Sequence, residues 1–173
     1  MIRIALGVLA VLSLACSAPV DAPWQTFSAE GDGFVLEAPG TPKTQEIKES
    51  VPRGGTVTGR QHQWQTRSNR FYMAMYMAFP PQLAMAGDMG KAMKSMVTGI
   101  AQRSKGSIVS EKATVVLELP GTEYEIKMGA MPGSMRVRTV ESHGTVYLLA
   151  AGWPDGKEAP ADEDRFFDSF KLK

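Results

Sequence analysis

Between Phe71 and Phe79 the chain places Phe71, Met73, Met75, Met77 and Phe79 at odd positions and Tyr72, Ala74, Tyr76 and Ala78 at even ones. Successive side chains of a strand point to opposite faces, so this segment, read as a strand, is apolar on both. A strand of that kind has to be covered twice, which makes it a central strand with material packed above and below the sheet. The chain has 173 residues and 43% apolar composition, enough for one domain with a substantial core.

The neighbouring segments supply the rest of the sheet. Trp24–Phe27 and Gly33–Ala38 predict an entrance hairpin around the turn Glu30, Gly31, Asp32, Gly33, with Pro39, Gly40 and Pro42 ending the second strand. Lys43 to Gly55 is polar, extended at its start and a loop by Pro52, Gly54 and Gly55. Thr56–Thr66 pairs with Arg70–Phe79 around Arg67, Ser68 and Asn69. After Pro80 and Pro81 the period changes from two to about three and a half: Met85, Met89, Ala92, Met93, Met96 and Ile100 share one face of a long amphipathic helix from about Leu83, with Asp88 a cap for a late start. Lys105 and Gly106 supply its stop.

Four further strands are expected at Ile108–Leu119, Thr122–Met128, Met135–Ser142 and Thr145–Gly152, with turns at Pro120–Gly121, Pro132–Gly133 and His143–Gly144. In the second of them Tyr124, Ile126 and Met128 oppose Glu123, Glu125 and Lys127, the alternation of a strand with one wet face. Pro154, Asp155 and Gly156 then turn the chain, and Pro160 with Asp162, Glu163 and Asp164 opens a short helix docked by Phe166, Phe167 and Phe170. The fold class is α+β, a largely antiparallel sheet with one long amphipathic helix and a short C-terminal helix packed on it.

The first residues carry a different message. Arg3 precedes an apolar run from Ile4 to Leu14, and Ala15 stands before Cys16, the only cysteine. About eleven residues make a helix of roughly 16 Å, too short for a bilayer core that needs about twenty residues. The plan is that of an export signal. Leu12, Ser13, Leu14, Ala15 and Cys16 resemble the lipobox of bacterial lipoproteins, although Ser13 stands where Leu is most common. The resemblance implies a signal over residues 1–15, a lipidated, flexible tether over 16–23 and one domain over 24–173. Ordinary cleavage nearby, leaving a soluble secreted protein, is the other reading of these residues. In lipoproteins of enterobacteria Asp after the cysteine retains the protein at the inner membrane, and Ser17 here points instead to the outer membrane, facing the periplasm.

The element order, the opening Gly33, Phe34, Val35, Leu36 through Pro39, and the closing Phe167, Asp168, Ser169, Phe170 and Lys171 together resemble the PsbP-like fold, an α/β/α sandwich named for an extrinsic subunit of photosystem II. The likeness spans Trp24 to Lys173. It implies a non-enzymatic module of the binding and assembly kind, several of whose bacterial relatives are lipoproteins.

No GxSxG and no GxxxxGK[ST] occurs. His62 and His143 are the only histidines, and neither has a second ligand at metal-binding spacing. His143 reads as a turn residue, whereas Arg60, His62 and Trp64 share a strand face that could hold a ligand and form the best surface candidate. The run Met73, Met75, Met77 invites a copper(I) site, since thioethers are soft ligands, but its spacing, like that of Met85, Met89, Met93 and Met96, is that of a buried face. Glu123 and Glu125, and Asp162 to Asp164, read as outward charges and a helix start. With Arg3 removed, 18 cationic residues face 18 anionic ones, without a basic run, so a nucleic-acid partner is not expected. The expectation is a membrane-tethered, non-catalytic domain of the cell envelope without a cofactor, meeting the membrane through its anchor and binding a protein or envelope component. A small-ligand or copper(I)-binding envelope protein is the alternative.

Overall fold

The computed structural model describes residues 22–50, 55–84 and 89–173; the signal, Cys16 and most of the tether lie outside them. Its strands are β1 (Trp24–Phe27), β2 (Phe34–Pro39), β3 (Lys43–Ser50), β4 (Thr56–Gln65), β5 (Phe71–Ala78), β6 (Ser107–Val116), β7 (Leu119–Met128), β8 (Gly133–Ser142), β9 (Thr145–Pro154) and β10 (Lys171–Leu172). The helices are α1 (Pro81–Ala84), α2 (Met89–Arg103) and α3 (Pro160–Asp168). Seven strands form one antiparallel sheet in the order β3-β4-β5-β9-β8-β7-β6, and β1-β2-β10 form a second, smaller one.

β5 is covered on both faces, as its alternation requires. Met73, Met75 and Met77 point into a core shared with Met96, Val97, Ile126, Val137 and Leu148, beneath α2, which packs over β6, β7 and β8. Tyr72 and Ala74 point the other way, into an aromatic core with Phe34, Leu36, Trp64, Leu149, Phe166, Phe167 and Phe170. The small sheet and α3 roof that second core. Burying side chains of this size is worth about 1.5–3 kcal/mol each, so the three phenylalanines of the closing segment are a main reason that α3 docks.

Several expectations are corrected. The long helix expected from Leu83 is described over Pro81–Ala84 (α1) and Met89–Arg103 (α2); residues 85–88, with Met85 and Asp88, lie outside the described residues. Lys105 and Gly106 do follow the end of α2, with Lys105 in the left-handed conformation (φ 51°). Gly106 serves close approach instead: a Cβ there would sit 2.3 Å from the carbonyl oxygen of Lys127. The β6–β7 turn is not Pro120–Gly121 but Leu117–Glu118, both at positive φ (53° and 66°), the pairing of a tight hairpin whose backbone twist matches its strands. Pro120 lies at the start of β7, opposite Val115 of β6 and before the β8 ladder begins at Gly121, where a missing N–H costs least. β10 was not expected; it adds two residues to the free edge of β2.

Candidate functional site

The most organised polar cluster is assembled by strand register and one loop. In the β3–β4 pairing Thr44 stands opposite His62 and Glu46 opposite Arg60, so all four side chains share the face under the small sheet. The β1–β2 loop delivers Asp32 from above, between Gly31 (φ 81°) and Gly33 (φ 73°), whose left-handed backbones let the loop fold down. A Cβ at Gly33 would come within 3.0 Å of the Tyr147 hydroxyl.

Asp32 is the hub, with its side chain fully enclosed. Its Oδ1 accepts a hydrogen bond from Arg60 Nη1 at 2.9 Å, and its Oδ2 lies 2.8 Å from His62 Nε2. Arg60 also donates to the Glu30 carbonyl at 2.8 Å and to Glu46 at 2.7 Å. A carboxylate only accepts, so Nε2 carries the imidazole proton; Nδ1 is then bare and accepts from the Thr44 hydroxyl at 2.9 Å. Burial holds the His62 pKa below its ordinary value, outweighing the pull of Asp32 in the other direction. The ring is neutral at neutral pH.

Hydroxyl, imidazole and carboxylate in line is the order of a nucleophile, its base and the base's orienter. Here, however, His62 is 1% exposed and roofed by Phe27 (ring centroids 4.7 Å apart) and Phe34 (6.1 Å). His62 and Asp32 are enclosed, whereas Thr44 and Glu46 are exposed and Arg60 is partly so. The cluster fastens the β1–β2 loop to β4. The Arg60, His62 and Trp64 face is therefore not the surface candidate that the sequence suggested: Trp64 is 2% exposed and donates its indole N–H to the Gly40 carbonyl at 3.1 Å. Sequence reasoning treated Asp32 as a turn residue, and its flanking glycines were the one sign that the loop is shaped around it.

The other singled-out residues fall elsewhere. Met73, Met75, Met77 and Met96 are enclosed in the core under α2, and the partly buried Met89 and Met93 pack against it. His143 (φ 50°) is exposed at the tip of the β8–β9 hairpin. Glu123 accepts from Arg138 Nε at 2.7 Å, and Glu125 is exposed beside it. Asp162 pairs with Arg70 (2.7 Å) and Asp164 with Arg136 (2.9 Å), while Glu163 is buried, accepts from the Ala159 N–H at 3.3 Å and has its pKa raised by that burial. Arg136 and Arg138 lie 4.5 and 4.8 Å from the ring of Phe167, cation–π contacts with no signature in the residue spacing. A shallow depression of about 430 Å³ lies over the outer side of α2, lined by Lys91, Lys94, Ser95, Thr98, Gly99 and Gln102. Among the described residues no three His, Cys, Asp or Glu side chains gather as a metal site, and no helix is long and apolar enough to cross a membrane.

An antiparallel sheet with a helix on one face and a helix plus a small sheet on the other defines an α+β sandwich. It is the PsbP-like fold: the chain aligns with the solution structure of cyanobacterial PsbP (CyanoP) from Synechocystis sp. PCC 6803 at a TM-score of 0.57, over 96% of this chain and 100% of that one. The two sequences are 13% identical, so the likeness speaks for the fold. No family model matches the chain, and no curated protein does.

Proposed function

We propose that the chain is a lipid-anchored, non-catalytic binding domain of the cell envelope. Export and acylation at Cys16 hold it to a membrane, the outer one by the Ser17 signal, while the folded part binds a protein or an envelope component. The observation that carries this reading is the union of a lipobox-like segment with a PsbP-like domain whose best-formed polar cluster holds its His62 and Asp32 enclosed beneath Phe27 and Phe34. A residue committed to chemistry has to touch its substrate, and His62 touches only its own protein.

The test is fractionation with mass measurement. The protein should sediment with membranes and carry the mass of acyl chains on its N-terminal cysteine, and Cys16→Ser should abolish both. A Cys16→Ser protein that still carries acyl mass ends the anchoring half of the proposal. Hydrolysis of an acyl or phosphoryl ester that is lost in Thr44→Val ends the non-catalytic half.

The small-ligand or copper(I) reading is the second. A copper ion would have to enter among Met73, Met75 and Met77, which are 7%, 5% and 1% exposed. Copper(I) bound stoichiometrically by the folded protein, and lost in Met75→Leu, would put that reading first.

A further inference from the structure

The strand registers define two ends of the large sheet. At one end stand the β4–β5 turn (Thr66–Arg70), the β7–β8 turn (129–132), the α2–β6 connection (104–106) and the segment leaving β9 (155–157). The chain enters the domain at this same end. The Pro23 carbonyl accepts from the Gly40 N–H at 3.2 Å, Trp24 packs edge-on against Tyr72 at 5.3 Å, and Tyr72 is the register partner of Trp64, one residue from the end of β4. The far end carries the Leu117–Glu118 and His143–Gly144 turns.

Covalent geometry makes this placement matter. From Cys16 to Ala22 the chain advances six residues, at most about 20 Å when fully extended. The ten-residue strands β7, β8 and β9 are each about 33 Å long. A lipid on Cys16 thus keeps the entry end within reach of the bilayer and leaves the far end a strand's length further out. The entry end has a composition suited to that position. Among the described residues it carries the cations Arg67, Arg70, Lys105, Lys127 and Lys157 and the carboxylates Asp155, Glu158 and Asp162; Lys127 pairs with Asp155 and Arg70 with Asp162, each at 2.7 Å, while Lys105 and Lys157 are exposed. Met131 stands on the turn among them, 42% exposed.

We infer that the entry end of the sheet is a membrane-facing surface that seats against anionic phospholipid headgroups, with Lys105 and Lys157 meeting the phosphates and Met131 entering the interface. Cations at a negatively charged bilayer gain from its surface potential within a Debye length, and a short tether keeps them inside that distance. The far end, with Leu117, Glu118 and His143, is left free for a partner in the aqueous space. The orientation rests on the lipid-anchored reading; the surface itself does not.

The experiment uses the acylated protein purified from its own membrane and reconstituted into vesicles of phosphatidylcholine with or without phosphatidylglycerol. A fluorophore on Met131→Cys or on Leu117→Cys is read for quenching by brominated lipid. The probe at 131 should be quenched only where phosphatidylglycerol is present, the probe at 117 in neither vesicle. Lys105→Glu with Lys157→Glu should cut the fraction seated about tenfold or more without changing the acyl mass. Equal quenching at 117, no quenching at 131, or displacement by inorganic phosphate at matched ionic strength overturns the inference. If mass measurement finds no acyl chain, the anchor reading fails by itself, and sedimentation of the unacylated mature protein with phosphatidylglycerol vesicles decides the surface: binding abolished by the two charge reversals supports it, and no binding overturns it.

Discussion

Asp32 is enclosed and accepts from both Arg60 and His62, which makes it the residue whose loss is felt most locally. Asp32→Ala leaves the His62 N–H and one Arg60 N–H without their acceptor and should destabilise the fold by about 2 kcal/mol, read as a lower urea midpoint. The pH dependence follows from His62. Its folded pKa is lowered, so below about 6.5 the unfolded chain takes up a proton that the folded chain resists. Stability is therefore full above that pH and falls as the pH drops from about 6.5 through the folded value. Urea midpoints across this range should fall more steeply in the wild type than in His62→Gln; parallel slopes would mean that His62 is not the group responsible. Neither residue's role was legible in the sequence. His62 beside Trp64 and Arg60 looks like an open face, because nothing in β4 reveals that a second sheet lies across it.

The elements were read with more success where periodicity carried them. β5, β7 and α3 stand out because one or both faces are apolar at a fixed spacing, and α3 also announces itself by Pro160 and its acidic first turn. β3 is polar apart from Ile47, and β10 has two residues, so neither has a period to detect. The β6–β7 turn was misplaced because Leu117 and Glu118 are not turn formers, while the nearby Pro120 and Gly121 are. That mismatch costs energy: a left-handed backbone is disfavoured for residues with a Cβ. Glu118→Gly should raise stability by about 1 kcal/mol through relief at φ 66°, seen as a higher denaturant midpoint. On the other face, Phe166→Ala removes a fully enclosed ring that touches Trp64, Tyr72 and Phe167, and should cost about 3–5 kcal/mol by the same measurement.

In the whole molecule the two cores are joined by the strands they share. β5 and β9 contribute to both, with Met75 and Leu148 on one side and Ala74 and Leu149 on the other. Loss of either layer exposes the same strands, so the domain should unfold in one cooperative step, with near-UV and far-UV circular dichroism coinciding in urea. Separate transitions would mean that the aromatic and methionine-rich layers are independent.

The placement of the methionines carries a last consequence, for oxidative chemistry. Peroxide converts an accessible thioether to a sulfoxide, a polar group that a packed core does not accommodate. Met131 is open to that attack in the native state, whereas Met73, Met75, Met77 and Met96 are screened until the sheet and α2 part. The chain thus records its own openings: oxygen gained at Met131 registers mere exposure, and oxygen gained on the strand sulfurs counts each time the layers separate.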